Sequence, residues 1–185
     1  MYSIDSDGWF EHACKCPSDN FNERPLGEEV SLLLIHNISL PPGQFGTGCV
    51  QQFFCNTLDC TRHPELQELA DLRVSAHVFI DRQGKSFQFV SLLQRAWHAG
   101  VSAFDGRENC NDFSIGIELE GEDHQAYSAA QYRELAAITI ALQRRFPAIT
   151  LPRIAGHCDV APQRKTDPGP AFDWHYYRAL ITAQS

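Results

Sequence analysis

The feature that most constrains the fold is a short apolar run that ends in a histidine. Residues 32–35 read Leu-Leu-Leu-Ile, and His36 follows directly. A short run without alternation is typical of a strand that is buried on both faces, because an exposed face would show polar residues at every second position. The sequence therefore predicts a buried strand over residues 31–36 that carries His36 at its C-terminal end.

A second strand is predicted over residues 114–121, where apolar and polar residues alternate. One face of this strand carries Ile115, Ile117 and Leu119, and the other carries Gly116, Glu118 and Glu120. A carboxylate such as that of Glu118 in a central strand needs a partner or a chemical role, since burying an unpaired charge is costly. Service as a general base beside a metal-activated water is such a role.

The remaining elements predict a mixed sheet covered by helices. Residues 74–81 and 86–91 are expected to form a hairpin. A capping box that starts at Ser128 predicts a helix that ends before Pro147, and Asp173 can cap a last helix from residue 174 to about 183. We expect an α/β fold, a single domain over residues 1–185 with a mixed central β-sheet flanked by helices.

Composition excludes several classes of partner. With 185 residues, 43% of them hydrophobic, the chain suffices for one domain with a substantial core, and its formal net charge of −8 argues against nucleic acid or an anionic membrane as partner. No apolar stretch has the length of a membrane span, no secretory signal is recognisable, and seven cysteines lack a framework spacing. We expect a cytoplasmic protein with reduced thiols, and no obligate protein partner is evident.

Three side chains in separate polar settings are candidate metal ligands. His36 ends the first strand, His157 lies in Ala-Gly-His-Cys, and Asp167 lies in Lys-Thr-Asp-Pro-Gly. Two imidazoles and a carboxylate leave one position of a tetrahedral zinc ion open for water, as in catalytic zinc sites. Singly, each has an ordinary alternative: a hydrogen-bonded histidine for the first two, and an Asx-type turn for Asp167.

Other polar residues have less certain roles. His77 could be a rival ligand, although a hydrogen-bonding role in the core is favoured. Lys165 precedes Asp167 by two positions and is either solvated or close enough to a metal to stabilise an oxyanion. Trp97 and His98 lie in a loop with small residues, which suits the wall of a substrate cleft.

Four segments of the sequence resemble a known enzyme family. They are LLIHNISLPPGQFG, LRVSAHVFIDRQGK, QRAWHAGVSAFDGRENCNDFSIGIELEG and AGHCDVAPQRKTDPGPAFDW. These segments resemble the zinc N-acetylmuramoyl-L-alanine amidases, a superfamily shared with phage amidase lysozymes and animal peptidoglycan-recognition proteins. The resemblance covers residues 8–180 approximately, and it is strongest to the branch that hydrolyses 1,6-anhydro-muropeptides in cytosolic cell-wall recycling. Residues 49–64 are least like the family.

The resemblance implies a role for each candidate residue. In such enzymes the corresponding side chains hold Zn²⁺, which here means His36, His157 and Asp167, although many relatives use cysteine at the last position. It implies Glu118 as proton acceptor and Lys165 as the residue that stabilises the transition state. The positions that resemble sugar- and peptide-contacting ones are Asn37, Arg73, Trp97 and His98. The implied partner is a soluble anhydromuropeptide.

Three alternatives remain open at the level of sequence. A recognition protein of the superfamily that lacks a zinc ligand binds wall fragments without cutting them, whereas here all three ligands are present. A general wall-lytic amidase would use the same site on assembled peptidoglycan. A zinc peptidase or deacetylase is a further alternative, but the chain has no HExxH helix.

Overall fold

The computed structural model describes residues 2–184, and its centre is a six-stranded sheet. The strands in chain order are β1 (Cys14–Lys15), β2 (Phe21–Asn22), β3 (Leu32–Ile38), β4 (Val78–Ile80), β5 (Ser86–Gln88), β6 (Arg95–Ala96), β7 (Ala103–Phe104), β8 (Arg107–Glu108), β9 (Ser114–Glu120) and β10 (Ile154–Gly156). The sheet order is β1-β5-β4-β9-β3-β10, with β4 and β5 antiparallel and all other neighbours parallel. The predicted mixed sheet is confirmed. Two small antiparallel pairs, β2 with β6 and β7 with β8, lie outside it.

Helices cover both faces of the central sheet. They are α1 (Cys49–Phe54), α2 (Ala129–Arg145), α3 (His157–Val160) and α4 (Trp174–Gln184), with 3₁₀ turns at Cys60–Arg62, Pro64–Leu69, Cys110–Asp112 and Leu151–Arg153. The predicted capping box starts α2, since Ser128 Oγ accepts from the Gln131 N–H and the Gln131 side chain accepts from the Ser128 N–H. Asp173 caps the start of α4 by accepting from the Tyr176 N–H. In residues 2–184 no helix combines the length and apolar character that crossing a bilayer requires.

The apolar run in β3 is explained by burial on both faces. Leu33 and Ile35 pack into the main core with α2 and α4, whereas Leu32 and Leu34 belong to a separate cluster on the opposite face. Side chains alternate along a strand, so His36 lies on the same face as Leu34, away from α2 and α4. The central strands β3 and β9 therefore have one face that packs into the apolar core and an opposite face that also carries polar side chains.

The predicted hairpin exists but is shorter than expected. β4 begins only at Val78 and β5 ends at Gln88. The segment before β4 is held by other partners, because Ser75 donates its backbone N–H to the Trp97 carbonyl oxygen and Ser75 lies outside the hairpin ladder. The strand-like sequence of residues 74–77 thus reflects burial in the fold.

Candidate active site

Strand register brings the first two candidate residues side by side. β3 and β9 are parallel neighbours in which His36 pairs with Glu118. Both side chains lie on the face away from α2 and α4. β10 flanks β3 on its other side, with Gly156 opposite Ile35, so His157 at the start of α3 arrives next to His36. The site therefore lies at the carboxyl ends of parallel strands, where ligand sites in open α/β sheets usually form.

The loop that carries Asp167 is fixed from several directions. The Cys158 N–H donates to the Asp167 carbonyl oxygen at 2.9 Å. Tyr127 Oη donates to the Pro168 carbonyl oxygen at 2.7 Å, and the Asn37 amide donates to the same oxygen at 3.1 Å. Gly169 has φ +78, and a Cβ atom there would lie 2.2 Å from the Asp123 Cα, so only glycine fits. This bonding holds the carboxylate of Asp167 in place without help from a bound ligand.

Three ligand atoms converge on one point. His36 Nδ1 lies 3.0 Å from His157 Nδ1 and 3.1 Å from Asp167 Oδ2, and His157 Nδ1 lies 3.0 Å from Asp167 Oδ2. Ligand atoms of a tetrahedral metal site with bonds of about 2.0–2.1 Å are about 3.3 Å apart. Burial lowers the pKa of His36 to about 4, which favours the neutral imidazole that binds metals. The group fits a metal ion.

The carboxylate of Glu118 belongs to the same site, and one of its oxygens has no hydrogen-bond partner within residues 2–184. Its Oε2 atom is buried and has no hydrogen-bond partner in the described part of the chain. Burial first, and then the charge of Asp167, raise the pKa of Glu118 well above its usual value, while Lys165 acts in the opposite direction. Buried polar atoms are nearly always paired, so this oxygen indicates a position for a polar ligand.

A cavity of about 560 Å³ opens onto these groups. Its polar end contains Glu118, Lys165 and Asp167. The apolar wall is formed by Leu40, Phe53, Phe54, Leu69, Leu72, Val74 and Trp97. Phe53 and Phe54 belong to α1, so the segment that least resembles the family in sequence supplies part of this wall. A cavity with a polar end and an apolar wall is typical of a small-molecule site.

The four residues predicted to contact substrate have different surroundings. Trp97 and His98 line the cavity, and Trp97 Nε1 donates to Asn22 Oδ1. Asn37 lines it too, but its amide group donates to Asp123 and Pro168. The exposed side chain of Arg73 donates to backbone oxygens nearby in the chain. Substrate contact by these four residues stays a prediction.

His77 has the structural role that the sequence favours. Its Nδ1 accepts from the Gly116 N–H at 3.0 Å, and its Nε2 lies 3.1 Å from the Gln94 carbonyl oxygen. Both ring nitrogens are thus used within the core, and His77 is not part of the converging group. The alternative of His77 as a ligand is not supported.

Two residues that support the site were missed by sequence reasoning. Arg164 Nη2 donates to the carbonyl oxygens of Ala99 and Val101, and His157 Nε2 lies 3.0 Å from that same Ala99 oxygen. Asn111 Oδ1 accepts from the backbone N–H groups of His98 and Ala99. Both contacts join segments far apart in the chain, and no local pattern marks either residue.

The chain also matches known proteins over most of its length. Residues 26–170 match the family described as N-acetylmuramoyl-L-alanine amidase. The chain belongs to this family. The amidase is 54% identical over 179 residues to the 1,6-anhydro-N-acetylmuramyl-L-alanine amidase AmpD of Citrobacter freundii, covering 97% of this chain and 95% of the relative.

Solved structures agree with this assignment. The amidase superposes with a TM-score of 0.94 on the crystal structure of a selenomethionine AmpD derivative, at 54% identity over 97% of this chain and 99% of the other. A complex of AmiD from E. coli with anhydro-N-acetylmuramic acid-L-Ala-D-gamma-Glu-L-Lys gives a TM-score of 0.62 at 26% identity, over 88% of this chain and 66% of that one. The predicted family, enzyme class and fold are confirmed.

Proposed function

We propose that this amidase uses zinc to hydrolyse the amide bond between N-acetylmuramic acid and L-alanine in soluble muropeptides, preferring the 1,6-anhydro sugar. The observation that carries this proposal is the Glu118 carboxylate, one oxygen of which is buried and unpaired among residues 2–184, in the site where three ligand atoms converge. The names of AmpD and the substrate in the AmiD complex support the choice of sugar and peptide. In the proposal His36, His157 and Asp167 hold the ion, because two imidazoles and a carboxylate are a donor set that zinc accepts.

The reaction needs a better nucleophile than neutral water and a protonated leaving group. A zinc ion, when bound, supplies Lewis acidity that makes water a stronger nucleophile and polarises the amide carbonyl. Glu118 accepts the proton of the attacking water and delivers it to the departing alanine nitrogen. Its raised pKa suits this role, because a carboxylate that binds a proton more readily than usual is a better proton acceptor.

Lys165 acts on the charge that develops on the carbonyl oxygen. It lines the cavity together with Glu118 and Asp167, and its backbone N–H donates to the Ala161 carbonyl oxygen. In the proposal its ammonium group stabilises the oxyanion, an interaction whose loss typically lowers the rate on the order of 100- to 1,000-fold. The apolar wall with Trp97 faces the sugar, and a rigid bicyclic ring is selected there by shape.

The function in the cell follows from the proposed substrate. Soluble anhydromuropeptides are products of wall turnover, so we propose a role in cytoplasmic peptidoglycan recycling, with no partner required besides the substrate. The cavity volume falls within the range of about 300–1,000 Å³ that is usual for sites that enclose small ligands. This supports a fragment as substrate rather than assembled wall.

A comparison of three substrates tests the proposal. The kcat/KM values would be measured for an anhydromuramyl tripeptide, for its reducing-end muramyl counterpart and for intact sacculi. We expect kcat/KM to be highest for the anhydro compound, by a ratio that corresponds to the few kcal/mol that shape selection usually provides. Equal rates on all three would contradict a recycling enzyme and indicate a general wall-lytic amidase.

A further inference from the structure

The ring nitrogen of His36 that does not face Asp167 and His157 has a hydrogen-bond partner of its own. Its Nδ1 faces Asp167 and His157, while its Nε2 lies 3.0 Å from His98 Nδ1. His98 Nε2 in turn lies 3.2 Å from Ser114 Oγ. The three side chains form a line from the metal group to the start of β9.

One arrangement of protons satisfies this whole line. A neutral imidazole carries one proton, so an Nδ1 that binds a metal leaves the proton of His36 on Nε2. That N–H then donates to His98 Nδ1, which must be unprotonated. The proton of His98 is therefore on Nε2 and is donated to Ser114 Oγ. Each ring nitrogen in the line has a defined role.

The polar face of β9 is shaped to hold the His98 ring. A Cβ atom at Gly116 would lie 2.3 Å from His98 Nδ1, a distance that no real contact allows. Ser114 accepts from the ring, Gly116 leaves space for it, and Glu118 reaches the cavity. The backbone of His98 is also fixed, because its N–H donates to Asn111 Oδ1 at 3.2 Å.

From these contacts we infer that His98 is a positioning residue that orients the ligand His36 and fixes its tautomer. The inference rests on the proposed metal centre and goes beyond the substrate contact that the sequence predicts for this position. The neighbouring residue serves the other imidazole, since the Ala99 carbonyl oxygen lies 3.0 Å from His157 Nε2. Residues 98 and 99 thus orient both imidazole ligands, one by a side chain and one by the backbone. Partners of this kind typically contribute 10- to 100-fold to metal affinity.

Zinc affinity of full-length variants tests the inference. The zinc dissociation constant would be measured by competition with a chromophoric chelator for the wild type, His98→Phe, His98→Asn and His98→Gln. The amide oxygen of asparagine takes nearly the place of Nδ1, whereas glutamine presents its amide near the place of Nε2. We expect His98→Phe and His98→Gln to bind zinc roughly 10- to 100-fold more weakly, and His98→Asn to retain most of the affinity.

A matched control and a spectroscopic readout separate positioning from folding. His12→Gln changes a histidine whose ring packs against Tyr2 and Phe10, away from this line, and we expect its zinc affinity to stay at the wild-type value. Long-range ¹H–¹⁵N spectra of the zinc-loaded wild type should show the His36 proton on Nε2. Gly116→Ala, which displaces the ring without removing it, should weaken zinc binding as His98→Phe does.

The possible results distinguish the inference from the proposed function. If His98→Phe and His98→Gln bind zinc as tightly as the wild type and only KM rises, His98 is a substrate contact and the inference is wrong, although the metal centre stands. If the wild type binds no zinc, the metal centre fails and the inference fails with it. The inference is also wrong if His98→Asn binds zinc as weakly as His98→Phe. An acceptor in the place of Nδ1 would then not be what sustains zinc binding.

Discussion

The two faces of the central strands differ in what holds them together. On the face toward α2 and α4, β9 carries the apolar side chains of Ile115, Ile117 and Leu119, which are fully buried. The opposite face of β9 carries Ser114, Gly116, Glu118 and Glu120, each with a distinct surrounding. The difference shows that hydrophobic periodicity suffices to predict the packing of the first face. The arrangement of side chains on the second face depends on partners from other segments of the chain. Four changes would break or sharpen this comparison.

The largest expected effect is loss of the metal from the polar face. Asp167→Ala removes one of three ligand atoms, and we expect zinc content and amidase activity to fall to background. His77→Ala removes a buried histidine near the same face, and we expect zinc to be retained. Metal analysis of both purified proteins checks this. Zinc retained in Asp167→Ala but lost from His77→Ala would mean that the ligand set is wrong.

The next effect separates two carboxylates on the same face of β9. Glu118→Ala should fold and keep its zinc, yet lose on the order of 10²- to 10⁴-fold in kcat, because it removes the proton acceptor. The control is Glu120→Ala, since Glu120 accepts from the Gly46 and Arg82 N–H groups and holds loops together. That variant should lose stability and keep most of its kcat. An inactive Glu120→Ala beside an active Glu118→Ala would reverse the assignment of the base.

The apolar face should respond in stability and leave the chemistry unchanged. Ile117 precedes Glu118 and is fully buried on the other face. We expect Ile117→Ala to lower the free energy of unfolding by roughly 2–5 kcal/mol, because the lost methyl groups leave a cavity. Denaturant unfolding and zinc titration measure both properties. A large loss of zinc affinity with unchanged stability would show that the two faces are not independent.

The smallest effect is the contribution of His77 to the pH dependence of stability. Burial, followed by the Arg24 guanidinium, lowers the pKa of His77 to about 3. Because the folded pKa lies below the unfolded value of about 6.5, the unfolded chain binds the proton more readily between these values. The stability of the metal-free protein should therefore be full above pH 6.5 and fall as the pH drops towards 3. His77→Gln should make this fall smaller in urea unfolding at several pH values, and identical slopes would contradict a neutral His77.

The sequence predicts the apolar face far better than the polar one. The run before His36, the alternation in residues 114–121 and the capping box at Ser128 each determine a structure locally, and the structure confirms all three. The sequence also marks His36, His157 and Asp167, and the structure brings these three side chains together. Their role as metal ligands stays a prediction. The hairpin bounds were wrong because Ser75 donates its backbone N–H to the Trp97 carbonyl oxygen, outside the ladder of β4 and β5, so that β4 begins only at Val78.

What the sequence could not predict are the contacts between distant segments. The ring of His98 faces His36 and Ser114, although its loop suggests a cleft wall. Nothing next to Arg164 indicates that it holds the Ala99 carbonyl oxygen. These contacts require knowing that β3, β9 and the loop after β6 meet, which is a property of the assembled sheet.

The central claim is that the polar face of the sheet carries a metal-dependent amidase site. The most direct measurement is mass spectrometry of the products formed from a purified anhydromuramyl tripeptide by the enzyme as purified, after chelation, and after zinc is returned. The account predicts free tripeptide and anhydro-N-acetylmuramic acid with the purified enzyme, neither after chelation, and both again once zinc is restored. Full activity in the chelated enzyme, with its zinc content confirmed as zero, would contradict the account.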